Sequence, residues 1–208
     1  MAPPAVPHFS DALVVLDFFG IAVFAVSGAL LAAEKRQTLV TFIFFAVVTG
    51  VGGGTLRDLL IDAPVFWVHT NATLLICIAA ALVVWLIRSR HISARALDWF
   101  DAAGLAAYAT YGSAKALGYG VAPVPAFAMG VLTACVGGIV RDVLAGEPSI
   151  LMRPELYVTA AALTAGLFVG LTLLGAPMWV AAAIAALAGF ALRGAAIARG
   201  WKLPAYRD

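Results

Sequence analysis

The segments Gly50-Val-Gly-Gly-Gly-Thr-Leu-Arg-Asp-Leu-Leu60 and Val136-Gly-Gly-Ile-Val-Arg-Asp-Val-Leu144 contain the same motif, a run of glycines followed by an arginine and an aspartate. Both copies lie inside long apolar stretches. Glycine weakens a helix, and an ion pair is costly in an apolar setting. A motif of this kind that occurs twice indicates two related halves with a polar interior.

The composition of the chain is typical of an integral membrane protein. Of its 208 residues, 63% are hydrophobic and only 12% are charged, and the mean hydropathy is +1.01. A soluble domain of this composition would expose a large apolar surface to water. Apolar runs of about 20 residues, long enough to cross a bilayer as an α-helix, recur along the chain. We therefore predict an all-α polytopic membrane protein whose seven transmembrane helices span 12–33, 38–60, 66–88, 97–117, 124–144, 155–174 and 177–198.

The predicted spans leave only short connections and tails, so we expect residues 1–208 to form a single transmembrane domain. The N-terminal segment lacks the basic region of a cleaved signal. Ten of the 13 Lys and Arg residues fall on one side of the arrangement, and such an excess marks the cytoplasmic side. We expect a multi-pass protein of the cell's inner (plasma) membrane, with the N-terminus outside and the C-terminus cytoplasmic. The ten residues are Lys35, Arg36, Arg88, Arg90, Arg95, Arg153, Arg193, Arg199, Lys202 and Arg207.

The repeated motif also predicts how the helices are arranged. An offset of 84 residues superposes the two Arg-Asp pairs. The segments Leu16–Phe19 and Leu97–Phe100 match at an offset of 81, so we expect a three-residue insertion or deletion between the two motifs. Each half has three spans, so the second half enters the membrane from the opposite side, as in an inverted repeat. The predicted units are repeat one at about 12–88, repeat two at about 97–174 and a final helix at about 177–198.

The glycine runs weaken spans 2 and 5, because each glycine costs a helix about 1 kcal/mol relative to alanine. A kink, an unwound turn or a close helix approach is expected at both runs. Close packing of small residues between helices is the alternative interpretation of the glycines alone. Each arginine follows a glycine by four residues, about one helical turn, and therefore lies on the face of the weakened backbone.

Ionisable groups inside a span normally face the bundle interior or a water-filled cavity. Adjacent residues point about 100° apart on a helix, so Arg57 and Asp58 cannot both face one lumen directly. We expect one of them to line the pathway while a partner from another span fixes the other. Candidate partners are Asp17 in span 1, Asp98 or Asp101 in span 4, and a polar stripe in span 4 formed by Tyr108, Tyr111 and Lys115.

The sequence offers little that would support catalysis or a fixed metal site. Cys77 and Cys135 fall in mid-span without ligand spacing, and the three histidines are scattered. No serine or cysteine stands beside a plausible base. We predict that the protein is not an enzyme and has no cofactor, no fixed metal and no nucleic-acid partner, with membrane lipid as its surroundings.

Three segments together resemble the prokaryotic TRIC family, the trimeric intracellular cation channel homologues, which has also been labelled a glycine transporter domain family. The segments are Ala25-Val-Ser-Gly-Ala-Leu30, the motif at Gly52–Leu60 followed by Pro64-Val-Phe-Trp67, and the motif at Gly137–Leu144. The resemblance covers both halves of the chain. It implies a homotrimer in which each protomer has its own pore, with potassium as the main permeant ion.

The leading hypothesis is a monovalent-cation channel whose pathway passes between kinked spans 2 and 5, bounded by spans 1 and 4. Glycine carbonyls and hydroxyls would replace part of the ion's hydration shell, with transient potassium coordination at Gly52, Gly53 and Gly137. The arginines are expected to act as gate elements. The alternatives are a secondary transporter of a small zwitterion such as glycine and a scaffold without transport. The predicted pore and gate residues are Asp17, Ser27, Gly50, Gly52, Gly53, Gly54, Thr55, Arg57, Asp58, Lys115, Gly137, Gly138, Arg141 and Asp142.

Overall fold

The computed structural model describes residues 11–87 and 95–204 of the chain. Within these ranges the chain forms seven α-helices, and a short 3-10 turn at Ile150–Met152 precedes α6. Four helices, α1, α2, α5 and α7, are long and apolar enough to cross a membrane, and α3 and α6 are shorter apolar helices. The predicted all-α fold with seven helices is confirmed. The helices are α1 (Asp11–Glu34), α2 (Leu39–Leu60), α3 (Asn71–Leu86), α4 (Ala96–Gly118), α5 (Pro123–Leu144), α6 (Val158–Leu173) and α7 (Met178–Arg199).

Local sequence accounts for several helix ends. The Thr38 and Thr70 side chains accept hydrogen bonds from backbone N–H groups in the first turns of α2 and α3, which would otherwise have no partner. Pro123 begins α5, a position where its missing N–H costs nothing. Gly200 ends α7 with a φ of 67°, a conformation that glycine adopts without strain.

Two helices begin later than predicted, α3 by five residues and α6 by three. In both cases an aspartate near the end of the preceding helix accepts a hydrogen bond from the backbone of the loop that leads into the later helix. Asp58 Oδ2 accepts from the Phe66 N–H, and Asp142 Oδ2 accepts from the Ile150 N–H, both at 3.0 Å. A backbone N–H bonded to a carboxylate is not available for a helical hydrogen bond. The repeated aspartates therefore shape both loops in the same way.

An offset of 84 residues relates α2 to α5 and also α1 to α4, whereas α3 and α6 begin 87 residues apart. Gly20 of α1 packs against the Tyr108 ring of α4, while Gly104 of α4 packs against the Phe24 ring of α1. These two contacts exchange under an offset of 84. The predicted offset of 81 for these helices, with its three-residue insertion or deletion, is therefore wrong. The matched Leu-Asp-aromatic-Phe segments lie about one helical turn out of register.

The corrected register changes which residues are equivalent. Asp17 corresponds to Asp101 and not to Asp98, although the sequence match had paired it with the latter. The other equivalences that bear on the interior are Ser27 with Tyr111, Leu31 with Lys115, Thr49 with Thr133, and Phe66 with Ile150.

The helices α2 and α5 cross in opposite directions at the glycine runs. A Cβ atom added at Gly53 would lie 2.1 Å from the Thr133 carbonyl oxygen, and one added at Gly137 would lie 2.5 Å from the Thr49 carbonyl oxygen. Only glycine fits at such distances. Both helices continue through the runs without interruption, so the expected unwound turn is not found. The glycines provide the close approach, one of the three predicted possibilities.

The final helix, α7, packs on α4 and α6. Arg193 of this helix is 1% exposed, and its Nη2 donates to Glu155 Oε2 at 2.6 Å. Arg193, one of the ten basic residues counted toward the cytoplasmic side, is therefore a buried ion-pair partner near the C-terminal end of α7. Arg88, Arg90 and Arg207, which also belong to that count, lie outside the described residues.

The crossing predicts opposite effects for two neighbouring glycines. Gly53→Ala should destabilise the protein by about 1–3 kcal/mol, because the new methyl group meets the backbone of α5. Gly52→Ala is the matched control, since the nearest atom to its added Cβ would be Gly137 Cα at 3.7 Å. It should be neutral or stabilise the helix by up to about 1 kcal/mol. Thermal unfolding of the two variants in detergent measures the difference, and equal loss of stability in both would contradict the crossing.

Candidate functional site

Two buried clusters, each built around an Arg-Asp pair, occupy equivalent positions on either side of the α2–α5 crossing. The Arg57 cluster consists of Asp17, Arg57, Asp58, Phe66, Tyr111 and Lys115. The Arg141 cluster consists of Ser27, Asp101, Arg141, Asp142, Ile150 and Tyr157. The two arginines, their following aspartates and Asp101 are each at most 3% exposed.

Asp58 is the centre of the Arg57 cluster. Its Oδ1 accepts from Arg57 Nε at 2.8 Å, and its Oδ2 accepts from Lys115 Nζ at 2.9 Å. The same Oδ2 accepts the Phe66 N–H described above. Lys115 is 5% exposed, so its ammonium lies inside the bundle and does not extend to the membrane surface. One carboxylate thus neutralises two cations from different helices.

The remaining face of the Arg57 guanidinium lies among aromatic rings. Its Cζ is 5.2 Å from the Tyr111 ring centroid and 5.9 Å from that of Phe66, distances at which a cation is attracted to a π system. Arg57 Nη1 has no hydrogen-bond partner among the described residues. The side chain is therefore held by Asp58 and two rings, with part of its hydrogen-bonding capacity unused.

Asp17 of α1 completes the Arg57 cluster. Its carboxyl lies beside the Tyr111 hydroxyl and in the fields of Arg57, Lys115 and Asp58. Its Oδ1 is buried and has no hydrogen-bond partner within the described part of the chain. A buried carboxylate oxygen of this kind normally has water or an ion as its partner.

Arg141 joins three helices in its cluster. Its Nη1 donates to Ser27 Oγ of α1 at 2.9 Å and to Asp101 Oδ1 of α4 at 2.7 Å. Its Nε donates to the neighbouring Asp142 Oδ1 at 2.9 Å. Removing one partner from such a buried charge pair typically costs about 3–5 kcal/mol. Arg141 therefore connects α1, α4 and α5 through buried hydrogen bonds.

A polar cavity of about 180 Å³ opens beside Arg141. Apart from two leucines its lining is charged, with four carboxylates and two guanidinium groups. Next to it, Lys35 of the α1–α2 loop is paired with Glu147 of the α5–α6 connection, which links the two repeats at this end. A mouth with more carboxylates than cations concentrates positive ions. The charged lining residues are Glu34, Asp98, Arg141, Asp142, Glu147 and Arg153.

The predicted glycines lie at the crossing or against the clusters. Gly54 packs on Phe66, Gly138 packs on the Tyr157 hydroxyl, and the Gly50 carbonyl accepts from the Tyr108 hydroxyl at 3.2 Å. In a continuous helix the carbonyls at these positions already accept backbone hydrogen bonds. The Gly50 carbonyl, which also accepts from Tyr108, has no lone pair left for an ion, and the others each have one. Thr55 Oγ1 donates to the Val51 carbonyl and accepts from Trp67 Nε1, which occupies the hydroxyl.

Sequence reasoning named some cluster members only as possible partners and missed others. Asp101 and Tyr111 were alternatives among several candidates, and an offset of 84 applied to Asp17 and Ser27 would have selected both. Phe66 and Tyr157 were missed, and so was Arg193, which lies beside the Arg141 cluster. Arg193 could have been found by the criterion that identified the repeated arginines, since it is an arginine within an apolar span. Its guanidinium Cζ lies 5.4 Å from the Tyr157 ring centroid.

The two clusters place charge deep inside a helical bundle. The Arg57 cluster has two cations and two carboxylates, and the Arg141 cluster has one cation and two carboxylates. Buried ion pairs add little net stability, and ionisable groups at membrane depth usually belong to a substrate or ion pathway. The described residues contain no group of three or more His, Cys, Asp and Glu side chains placed to hold a metal ion.

Comparison with known families identifies both repeats. A family model described as glycine transporter matches the chain twice, at residues 14–89 and 98–172. The two matches correspond to the three-helix repeats.

Named relatives are membrane proteins. The UPF0126 membrane protein of Vibrio cholerae is 44% identical over 151 residues, which are 71% of this chain and 63% of that protein, so the match spans less than two thirds of the relative's length. The UPF0126 inner membrane protein YadS of Escherichia coli K12 is 43% identical over 148 residues, 70% of this chain and 72% of that protein.

A solved structure shares the fold over most of the chain. The TRIC trimeric intracellular cation channel orthologue from Rhodobacter sphaeroides superposes with a TM-score of 0.85 at 42% sequence identity, covering 92% of this chain and 100% of that one. Its structure is that of a channel and not of an enzyme. The resemblance stated from the sequence motifs is confirmed. The chain belongs to the prokaryotic TRIC family, the same family that the glycine transporter model describes.

Proposed function

We propose that this protein is a monovalent-cation channel with potassium as its main permeant ion. It works as a homotrimer with one pathway in each protomer. The observation that carries the proposal is the pair of buried charge clusters at equivalent positions on either side of the α2–α5 crossing. The similarity to a trimeric cation channel orthologue supports the same function. The protein acts in the inner membrane, with its N-terminus outside and its C-terminus in the cytoplasm, and the inner-membrane location of the YadS relative supports this placement.

The proposed path has two polar halves separated by the glycine crossing. The first half leads from the outside to the Arg57 cluster, and the second leads from the Arg141 cluster to the acidic cavity on the cytoplasmic side. The close contacts at Gly53 and Gly137 leave no space between the two backbones at this level. For an ion to pass, α2 and α5 must therefore move apart next to the glycine contacts. The structure, in which these contacts are closed, corresponds to a closed state of the channel.

Arg141 is the natural gate element of the cytoplasmic half. Its guanidinium occupies the space between Ser27 and Asp101 where a passing cation would be coordinated. A tethered cation in that position excludes a mobile one by occupancy and by charge. Opening moves the guanidinium away from α4 while Asp142 keeps it paired, so that the charge is never left alone in the interior.

Reversal potentials test the proposed selectivity. In planar bilayers that contain the purified protein, the current should reverse near the potassium equilibrium potential when a KCl gradient is imposed. A glycine gradient at constant KCl should leave the reversal potential unchanged. Saturable, competitively inhibited glycine uptake into liposomes, without ohmic potassium current, would instead identify a secondary transporter.

The gate role of Arg141 predicts the effect of Asp101→Asn. The substitution removes the charge that holds Nη1 on α4 but keeps the side chain's size and the Asp142 pair. The open probability at a given voltage should rise at least threefold. Asp62→Asn, at an exposed position in the α2–α3 loop, is the control and should behave like the wild type. An open probability for Asp101→Asn that equals or falls below the wild-type value contradicts the gate assignment.

A further inference from the structure

One pair of equivalent atoms is bonded in one cluster and not in the other. In the Arg141 cluster, Arg141 Nη1 donates to Asp101 Oδ1 at 2.7 Å. The equivalent atoms of the Arg57 cluster are Arg57 Nη1 and Asp17 Oδ1. Both are buried, and neither has a hydrogen-bond partner among residues 11–87 and 95–204. The repeat thus forms an ion pair in one half and leaves the corresponding pair unmade in the other.

Tyr111 provides the physical reason for this difference. It occupies the position equivalent to Ser27, whose small hydroxyl accepts from Arg141 Nη1 at 2.9 Å and lets the guanidinium reach Asp101. The Tyr111 ring instead lies against the Arg57 guanidinium, 5.2 Å from its Cζ. The Tyr111 hydroxyl lies beside the Asp17 carboxyl. The ring therefore keeps Arg57 away from Asp17, while the hydroxyl places a second oxygen beside the carboxylate.

We propose that Asp17 and Tyr111 form a binding site for a monovalent metal cation, equivalent to the site that the Arg141 guanidinium fills at Asp101 and Ser27. This site rests on the proposed channel function, because the ion reaches Asp17 along the conduction path described above. Carboxylate and hydroxyl oxygens replace water in the shell of such an ion. In one half of the protein a mobile cation takes the place that a tethered guanidinium takes in the other.

The neighbouring charges make the site weak, as conduction requires. Arg57 and Lys115 both direct hydrogen-bond donors at Asp58, which leaves Asp17 Oδ1 as the unoccupied carboxylate oxygen of this cluster. The field of the same two cations nevertheless opposes a third positive charge at Asp17. A permeant ion must be attracted enough to enter and held loosely enough to leave.

The first test uses single-channel potassium conductance measured against KCl concentration. Asp17→Asn removes the carboxylate charge and should raise the half-saturating KCl concentration at least threefold. Tyr111→Ser reproduces the side chain found at the equivalent position of the Arg141 cluster, so Arg57 should reach Asp17 and occupy the site. The half-saturating KCl concentration of this variant should rise by a similar factor. Tyr111→Phe keeps the ring that restrains Arg57 and should produce a smaller rise than Tyr111→Ser. A conductance curve for Asp17→Asn that superimposes on the wild-type curve overturns the proposal.

The second test measures binding without recording a current. The Tm of the wild-type protein in detergent should be higher in KCl than in N-methyl-D-glucamine chloride of the same concentration. Asp17→Asn should abolish this difference, and Asp11→Asn, which changes an exposed acid on the same helix, should keep it. If KCl raises the Tm of Asp17→Asn as much as it raises that of the wild type, the proposed site is wrong.

The two tests separate the site from the channel function. If the wild type carries no potassium current but shows stabilisation that depends on Asp17, the channel function fails and the cation site stands. If the wild type carries current and Asp17→Asn matches it in both tests, the site fails and the channel function stands.

Discussion

The close contact between the backbones of α2 and α5 is the constraint on which the rest of the structure depends. Two continuous helices approach until Gly53 of one faces Thr133 of the other, and Gly137 faces Thr49 in return. The helices run in opposite directions, so their arginine-bearing ends lie on opposite sides of the contact. A single glycine motif, used twice, thus fixes the centre of the bundle and the positions of both charge clusters.

The clusters have the same backbone plan but different side-chain connections. In both, the aspartate after the arginine accepts the arginine Nε and the backbone N–H eight residues further on. The differences come from α1 and α4, where Ser27 is equivalent to Tyr111 and Leu31 is equivalent to Lys115. Because the residues at these two positions differ, Arg141 is hydrogen-bonded to α4, while Arg57 lies among aromatic rings. An inverted repeat with a symmetric backbone therefore contains two halves with different side-chain contacts around the arginine.

Much of this arrangement can be predicted from sequence, for reasons that are local. The seven helices follow from apolar runs, and the equivalence of the two Arg-Asp pairs follows from an identical motif. The register between α1 and α4 could not be predicted as securely, because a chance match of Leu, Asp and aromatic residues suggested an offset of 81 residues. The packing of Gly20 and Gly104 on aromatic rings, which is visible only in the structure, requires an offset of 84 residues. Glycine runs alone also cannot distinguish an unwound helix from a close crossing, since both need the absence of a side chain.

The central claim is that the two clusters are reached by water from opposite sides of one membrane, and cysteine accessibility tests it most directly. Asp17→Cys and Asp101→Cys occupy equivalent positions in the two clusters, and the parent protein, whose Cys77 and Cys135 are buried, measures the background. A membrane-impermeant cationic thiosulfonate reagent should modify Asp17→Cys only from the outside and Asp101→Cys only from the cytoplasmic side. Modification of both from the same side, or of neither, would contradict the account.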